Sequence, residues 1–151
     1  MPWPLPEGWV VTGAAAVGDD PTSVRAVAVA CSGPAPLGGL GELIVVAEEP
    51  GVGFGARFAG LSAPDPGPAI WSRPSTARIL SGHHPAALWS VEAPDDRAAF
   101  VGEAEGLWLW AVLWPANAGY LIAESVSLRD LREAPDLTDI PCGALSPRLV
   151  V

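Results

Sequence analysis

Apolar and polar positions along the chain alternate in short runs and rarely repeat at helical spacing. Residues 23–32 (SVRAVAVACS) show this most cleanly. Arg25, Val27, Val29 and Cys31 fall on one face of a strand, and Val24, Ala26, Ala28 and Ala30 on the other. Residues 9–17 (WVVTGAAAV) have the same character, and GDDP at 18–21 supplies a turn between the two. ELIVVAE at 42–48 is apolar on both faces, which predicts a central strand. GVGFGARFAGL at 51–61 has poor strand propensity, and Gly55, Ala56, Ala59 and Gly60 would line one side of a short, closely packed helix. Each helix-interior glycine costs up to ~1 kcal/mol relative to alanine, so such a helix needs tertiary packing to hold it.

Residues 62–76 carry four prolines and predict an irregular crossing loop, anchored by Ile70 and Trp71. Residues 77–94 read as a hairpin with SGHHP as its loop, and APDDR at 93–97 as the next turn. AAFVGEA (98–104) and LWLWAVLW (107–114) are strands separated by Glu105 and Gly106. YLIAE (120–124) reads as a returning strand and SVSLRDLR (125–132) as one more. The tail from 134 is irregular, and Leu145, Leu149 and Val150 are expected to cover part of the core. The sum is a single α+β domain over residues 1–151, with a mostly antiparallel sheet of about seven to nine short strands and one or two short helices. No internal repeat or heptad pattern is present.

Composition adjusts this picture. Gly and Pro contribute 17 residues each, but half the residues are apolar, which supplies ample material for a core. The chain has 8 Lys+Arg, all of them Arg, against 17 Asp+Glu, for a net charge of −9. Scattered arginines and a negative balance argue against a nucleic-acid partner and against attraction to an anionic membrane. The longest strongly apolar run, 107–116, is about half the ~20 residues a membrane-spanning helix needs. The N-terminus lacks a positively charged leader, so the expectation is a cytoplasmic protein. Cys31 and Cys142 do not make a disulfide framework in a chain of this length and are expected to be reduced thiols.

The most informative segment is LWLWAVLWP. On a strand, Trp108, Trp110, Val112 and Trp114 share a face. Three tryptophans on one face need an accommodating wall, for which the Ala-rich faces of the first two strands are candidates. Large side chains packed against small ones fill a core. The functional alternative is an aromatic-walled pocket or a homodimer surface, with Glu103 at its rim. A carboxylate at Glu103, inside an apolar strand, calls for a partner or a cleft.

Gly51, Gly53 and Gly55 follow a strand and open the predicted helix, the context of a phosphate-cradling loop, with Arg57 as the cation. The spacing is not GxGxxG, Glu48 and Glu49 precede it, and a chain without lysine has no Walker loop. Gly38, Gly39 and Gly41 form a second flexible loop beside Cys31. The two loops are expected to converge on one edge of the sheet. Cys31, Cys142, His83 and His84 have no zinc-ligand spacing, so no metal is expected, and no cofactor motif is found. A Cys–His nucleophile pair remains formally open for either cysteine.

The segments MPWPLPEGW, VACSGPAPLGGLGELIVVAEEPGVGFGARFAG, GEAEGLWLWAVLWP, LRDLR and PCGALSPRL together resemble an uncharacterised actinobacterial family, a domain of unknown function, over nearly the whole chain. Many of its members carry an additional N-terminal Cys-rich segment like a zinc ribbon, and this chain is expected to begin just after it. The resemblance implies no catalytic residues, and acyl- or phosphotransferase names attached to some members find no support in these residues. The expected function is non-enzymatic binding of a small ligand or a protein partner, centred on Trp108, Trp110, Glu103, the two glycine loops, Arg57 and Cys31. The alternatives are a small transferase or hydrolase acting on a phosphorylated or acylated substrate, and a homodimeric structural subunit.

Overall fold

Strand periodicity becomes one mixed, mostly antiparallel sheet in a computed structural model, which describes residues 2–3, 8–20, 22–81, 84–123, 126–130 and 143–149. Its strands are β1 (Pro2–Trp3), β2 (Val10–Gly18), β3 (Val24–Pro34), β4 (Leu40–Glu48), β5 (Ala77–Ser81), β6 (His84–Val91), β7 (Ala98–Ala104), β8 (Leu107–Trp114) and β9 (Val126–Asp130). They lie in the order β1-β9-β5-β6-β7-β8-β4-β3-β2. Every neighbouring pair is antiparallel except β5 and β9, which run parallel. The doubly apolar β4 is central as expected, paired with β3 on one side and β8 on the other.

Both faces of the sheet are covered, which explains strands apolar on both sides. One face carries Cys31, Leu43, Val45, Leu88, Leu109, Ala111 and Leu113, packed with Trp9, Ala118 and Ile122. The other carries Ala28, Ala30, Ile44, Val46, Val101, Trp110, Val112 and Trp114. Over this second face lie helix α1 (Phe54–Ala59) and a 3₁₀ turn at Pro68–Ser72. Trp110 is accommodated by α1, not by the alanines of β3, which lie two strands away on the same face of the sheet. A Cβ added to Gly55 would stand 2.1 Å from Trp110 Cδ1, so the indole fills the space that Gly55 leaves. That close approach offsets the poor helix propensity of glycine.

Three local expectations change. YLIAE is not a strand: Tyr120–Ala123 form helix α2, which follows a 3₁₀ turn at Ala116–Gly119. Ala118 and Ile122 point the apolar side of that turn and helix into the first face, a use of YLIA that short-range alternation cannot distinguish from a strand. The hairpin loop is also shorter than SGHHP. Ser81 pairs with His84, which places His84 and Pro85 in β6. His83 lies outside the described residues, as do Cys142 and Val150. In the tail, Gly143 and Ser146 donate backbone N–H bonds to the Val11 and Thr12 carbonyls. Leu149 packs against the second face, whereas Leu145 stays 63% exposed.

Because the Trp110–Gly55 contact joins α1 to the sheet, Gly55→Ala should overpack this interface. Overpacking of this kind costs about 1–3 kcal/mol. Urea denaturation should show the midpoint falling with an unchanged slope.

Candidate functional site

The end of β4 carries a buried carboxylate. Glu48 is fully buried on the α1 face, and its Oε2 accepts backbone N–H bonds from Phe54 at 2.7 Å and Gly55 at 3.1 Å. The chain therefore uses its own carboxylate for the first amides of α1. Glu48 Oε1 has no partner among the described residues, and the Trp110 indole N–H lies toward the carboxylate without completing a hydrogen bond. Burial pushes the Glu48 carboxyl above its ordinary value, and the two backbone N–H bonds only partly oppose this. Nearby, Asp65 Oδ1 accepts the Gly51 N–H at 2.8 Å and the Trp108 indole N–H at 3.0 Å. Three donors of the glycine loop are thus already satisfied by carboxylates.

Trp108 leads from this junction to the surface. Register places it between Glu48 on β4 and Glu103 on β7, all on the second face. Its ring stacks on Trp71 with centroids 5.6 Å apart and planes at 13°. Trp71 in turn meets Trp89 of β6 edge-on, with centroids 4.6 Å apart at 86°. Trp89 donates its indole N–H to the Arg73 carbonyl at 2.8 Å. Trp71 thus bridges β8 and β6 across β7 and remains 39% exposed. Glu103, exposed at the rim, stands directly opposite Trp108. An open groove of about 480 Å³ adjoins the cluster, lined by Leu61, Ile70, Arg73, Val91 and Glu92 among others.

The sequence-expected residues do not assemble as one site. Trp108 and Glu103 meet at the patch, but Trp110 is buried beneath α1 and offers nothing to a ligand. Glu103 is solvent-exposed, so the partner or cleft expected for a strand carboxylate is not needed. The two glycine loops do not converge. Gly38 and Gly39 precede β4 and Gly41 is its second residue, while Gly51, Gly53 and Gly55 follow it, so the two sets lie at opposite ends of a strand that spans about 26 Å at ~3.3 Å per residue. Gly38 and Gly39 take φ of 98° and 77° in the β3–β4 turn, and Gly41 sits under the Trp9 ring. Arg57 is exposed, its guanidinium 5.9 Å from the Phe54 and Phe58 ring centroids. Cys31 lies on the opposite face of the sheet from Trp108, and burial pushes its thiol up to about 12. Sequence reasoning used Glu48 only as an acid that disfavours phosphate, passed over Asp65 and Trp89, and treated Trp71 only as an anchor. Their one shared signal was an acid or an indole beside an apolar run.

A family model matches residues 1–149. The chain belongs to that family, a family of unknown function (DUF6758). No curated protein and no solved structure matches it. The family description names no activity, and its match spans both the β4–α1 junction and the tryptophan cluster. No helix among the described residues is long and apolar enough to cross a membrane.

Three outcomes follow, two for the junction and one for Cys31. The folded chain holds the Glu48 proton to higher pH than the unfolded chain does, so between the ordinary carboxylate value of 4.5 and the raised value the native state binds more protons. Stability should therefore fall as pH rises through that window, and Glu48→Gln should flatten this part of the profile in pH-dependent urea melts. Glu48→Ala, which leaves the two amides unpaired, should cost about 1–3 kcal/mol. In a Cys142→Ser background, Cys31 should react with a thiol reagent only at the rate of unfolding, because a buried thiol at about 12 supplies almost no thiolate at neutral pH.

Proposed function

We propose that this domain is a non-enzymatic recognition module that binds its partner on the surface formed by Trp71, Trp89 and Trp108, with Glu103 at the rim. The observation that carries this reading is the ring cluster itself. Two of its indoles are held by hydrogen bonds to the crossing segment, Trp108 by Asp65 and Trp89 by the Arg73 carbonyl, and the third stays 39% exposed. Rings fixed before binding lose little conformational entropy on contact, and tryptophan is enriched where binding energy concentrates. The enzyme alternative has less support. The Gly51 and Gly55 amides already serve Asp65 and Glu48, and Cys31 is a buried thiol on the other face.

A homodimer is the second reading, favoured by one feature away from the patch. β2 is an edge strand, and its stretch Ala14–Gly18 carries no charge, with Ala14, Ala16 and Val17 exposed. Uncharged edges of this kind invite pairing with another strand. Sedimentation equilibrium separates the readings: a monomer at all concentrations removes the dimer and leaves the patch untouched.

Trp71→Ala should preserve the far-ultraviolet circular dichroism. In a fluorescence screen of nucleotides, acyl-CoAs, lipids, saccharides and peptides, any ligand that shifts tryptophan emission in the native chain should bind Trp71→Ala at least tenfold more weakly. Undiminished binding to the variant would overturn the patch.

A further inference from the structure

The patch reading underlies a narrower one: we propose that its partner is a proline-rich protein segment in extended polyproline form that carries an arginine. The three rings touch one another, with centroid separations of 4.6 and 5.6 Å. No space remains between them for a cation caged by ring faces. The cluster is a ridge in which Trp71 is exposed while Trp89 and Trp108 are half-buried against the core, so a ligand has to lie along it with Trp71 as its main contact. The two pinned indoles have spent their N–H groups internally. The Trp71 indole N–H has no acceptor among the described residues. A polyproline segment matches this arrangement. Its rings pack on exposed aromatics, and its carbonyls, bonded to nothing within the segment, accept from an outward N–H.

The adjoining groove supports a peptide over a saccharide. Leu61, Ile70 and Val91 give it aliphatic walls suited to proline or leucine side chains, not to rows of hydroxyls. Arg73 is tied to the Ser90 carbonyl at 2.6 Å and lines the same groove as Glu92, so the groove carries one charge of each sign. Glu103 pairs with no cation among the described residues and stands beside Trp108 at the other end of the ridge. Glu103 is thus an exposed carboxylate next to the rings, and Asp65, half-buried and bonded to the Trp108 indole, adds a second negative group on the same side of a chain of net charge −9. An arginine of the bound segment fits there, with its guanidinium on the carboxylate and its plane against an indole. The span from the groove to Glu103 sets the spacing between the proline contacts and the arginine.

Nuclear magnetic resonance tests this on the full chain. The seven tryptophans give separate indole N–H signals, and Trp71→Phe assigns the one that matters. The probes are a set of decapeptides with Pro-x-x-Pro cores and one arginine at varied positions, the same set with arginine replaced by glutamate, and hexamers of glucose and of N-acetylglucosamine. The expected result is that arginine-bearing peptides shift the Trp71 indole signal. Trp71→Ala should weaken the best of them at least tenfold. Glu103→Gln should weaken it about threefold to tenfold, and the glutamate set should not bind. If no peptide moves the Trp71 signal and a hexasaccharide does, the partner class is wrong and the patch stands. Peptide binding that leaves the Trp71, Trp89 and Trp108 signals in place overturns both the partner class and the patch. Silence from every peptide overturns the partner class alone, and the fluorescence screen then decides the patch.

Discussion

A carboxylate at the end of β4 holds helix α1 on the sheet. Glu48 accepts the amides of Phe54 and Gly55, and Gly55 then lies flat enough for Trp110 to fill the space where a side chain would be. The loop that follows α1 returns Asp65 to the same corner, where it takes the Gly51 amide and the Trp108 indole. Trp71, carried on the 3₁₀ turn beyond, then lands on Trp108. Each contact positions the next, so the exposed ridge depends on a buried carboxyl one strand away.

This arrangement is costly in one respect and useful in another. Burying a carboxyl without a full set of partners raises its protonation value and costs desolvation energy. Glu48 has donors on one oxygen and none on the other. The compensation is geometric. A six-residue helix containing a glycine has little stability of its own, and one fixed acceptor oxygen that takes two amides gives its first turn a defined start. Together with Asp65 on the Gly51 amide, it leaves a passing phosphate few amides to bind, which turns a glycine loop that resembles an anion cradle into an internal joint.

The ridge itself is rigid for physical reasons visible in its neighbours. The crossing segment from 62 to 76 contains prolines at 64, 66, 68 and 74, which limit the unfolded chain as well as the folded one. Ile70 is buried under the segment, while Trp71, the next residue, faces outward onto two other rings. An indole fixed in this way presents a large surface with little left to lose on binding. The opposite face of the sheet, with Cys31, Leu43 and Leu113 sealed beneath Trp9 and Ile122, is an ordinary packed interior.

Local patterning determined much of this protein. The alternation in β3 and β8, the double apolarity of β4 and the Glu105–Gly106 turn each depend on a few adjacent residues, so strands, faces and hairpins were legible in order along the chain. The glycine-and-alanine side of α1 was legible for the same reason. YLIA was not, because four apolar residues fit a strand or a helical turn equally well until Ile122 finds its neighbours. The site was legible only in part. Trp108 and Glu103 were visible because they share a hairpin. The glycine loops were wrongly brought together, since sequence proximity hides the fact that a strand's two ends lie far apart. Asp65 meets Gly51 across 14 residues and Trp108 across 43, and Trp71 meets both Trp89 and Trp108. No local period records such contacts. Only the tertiary structure, by folding a proline-rich crossing loop over β6, β7 and β8, decided which tryptophans became core and which became surface.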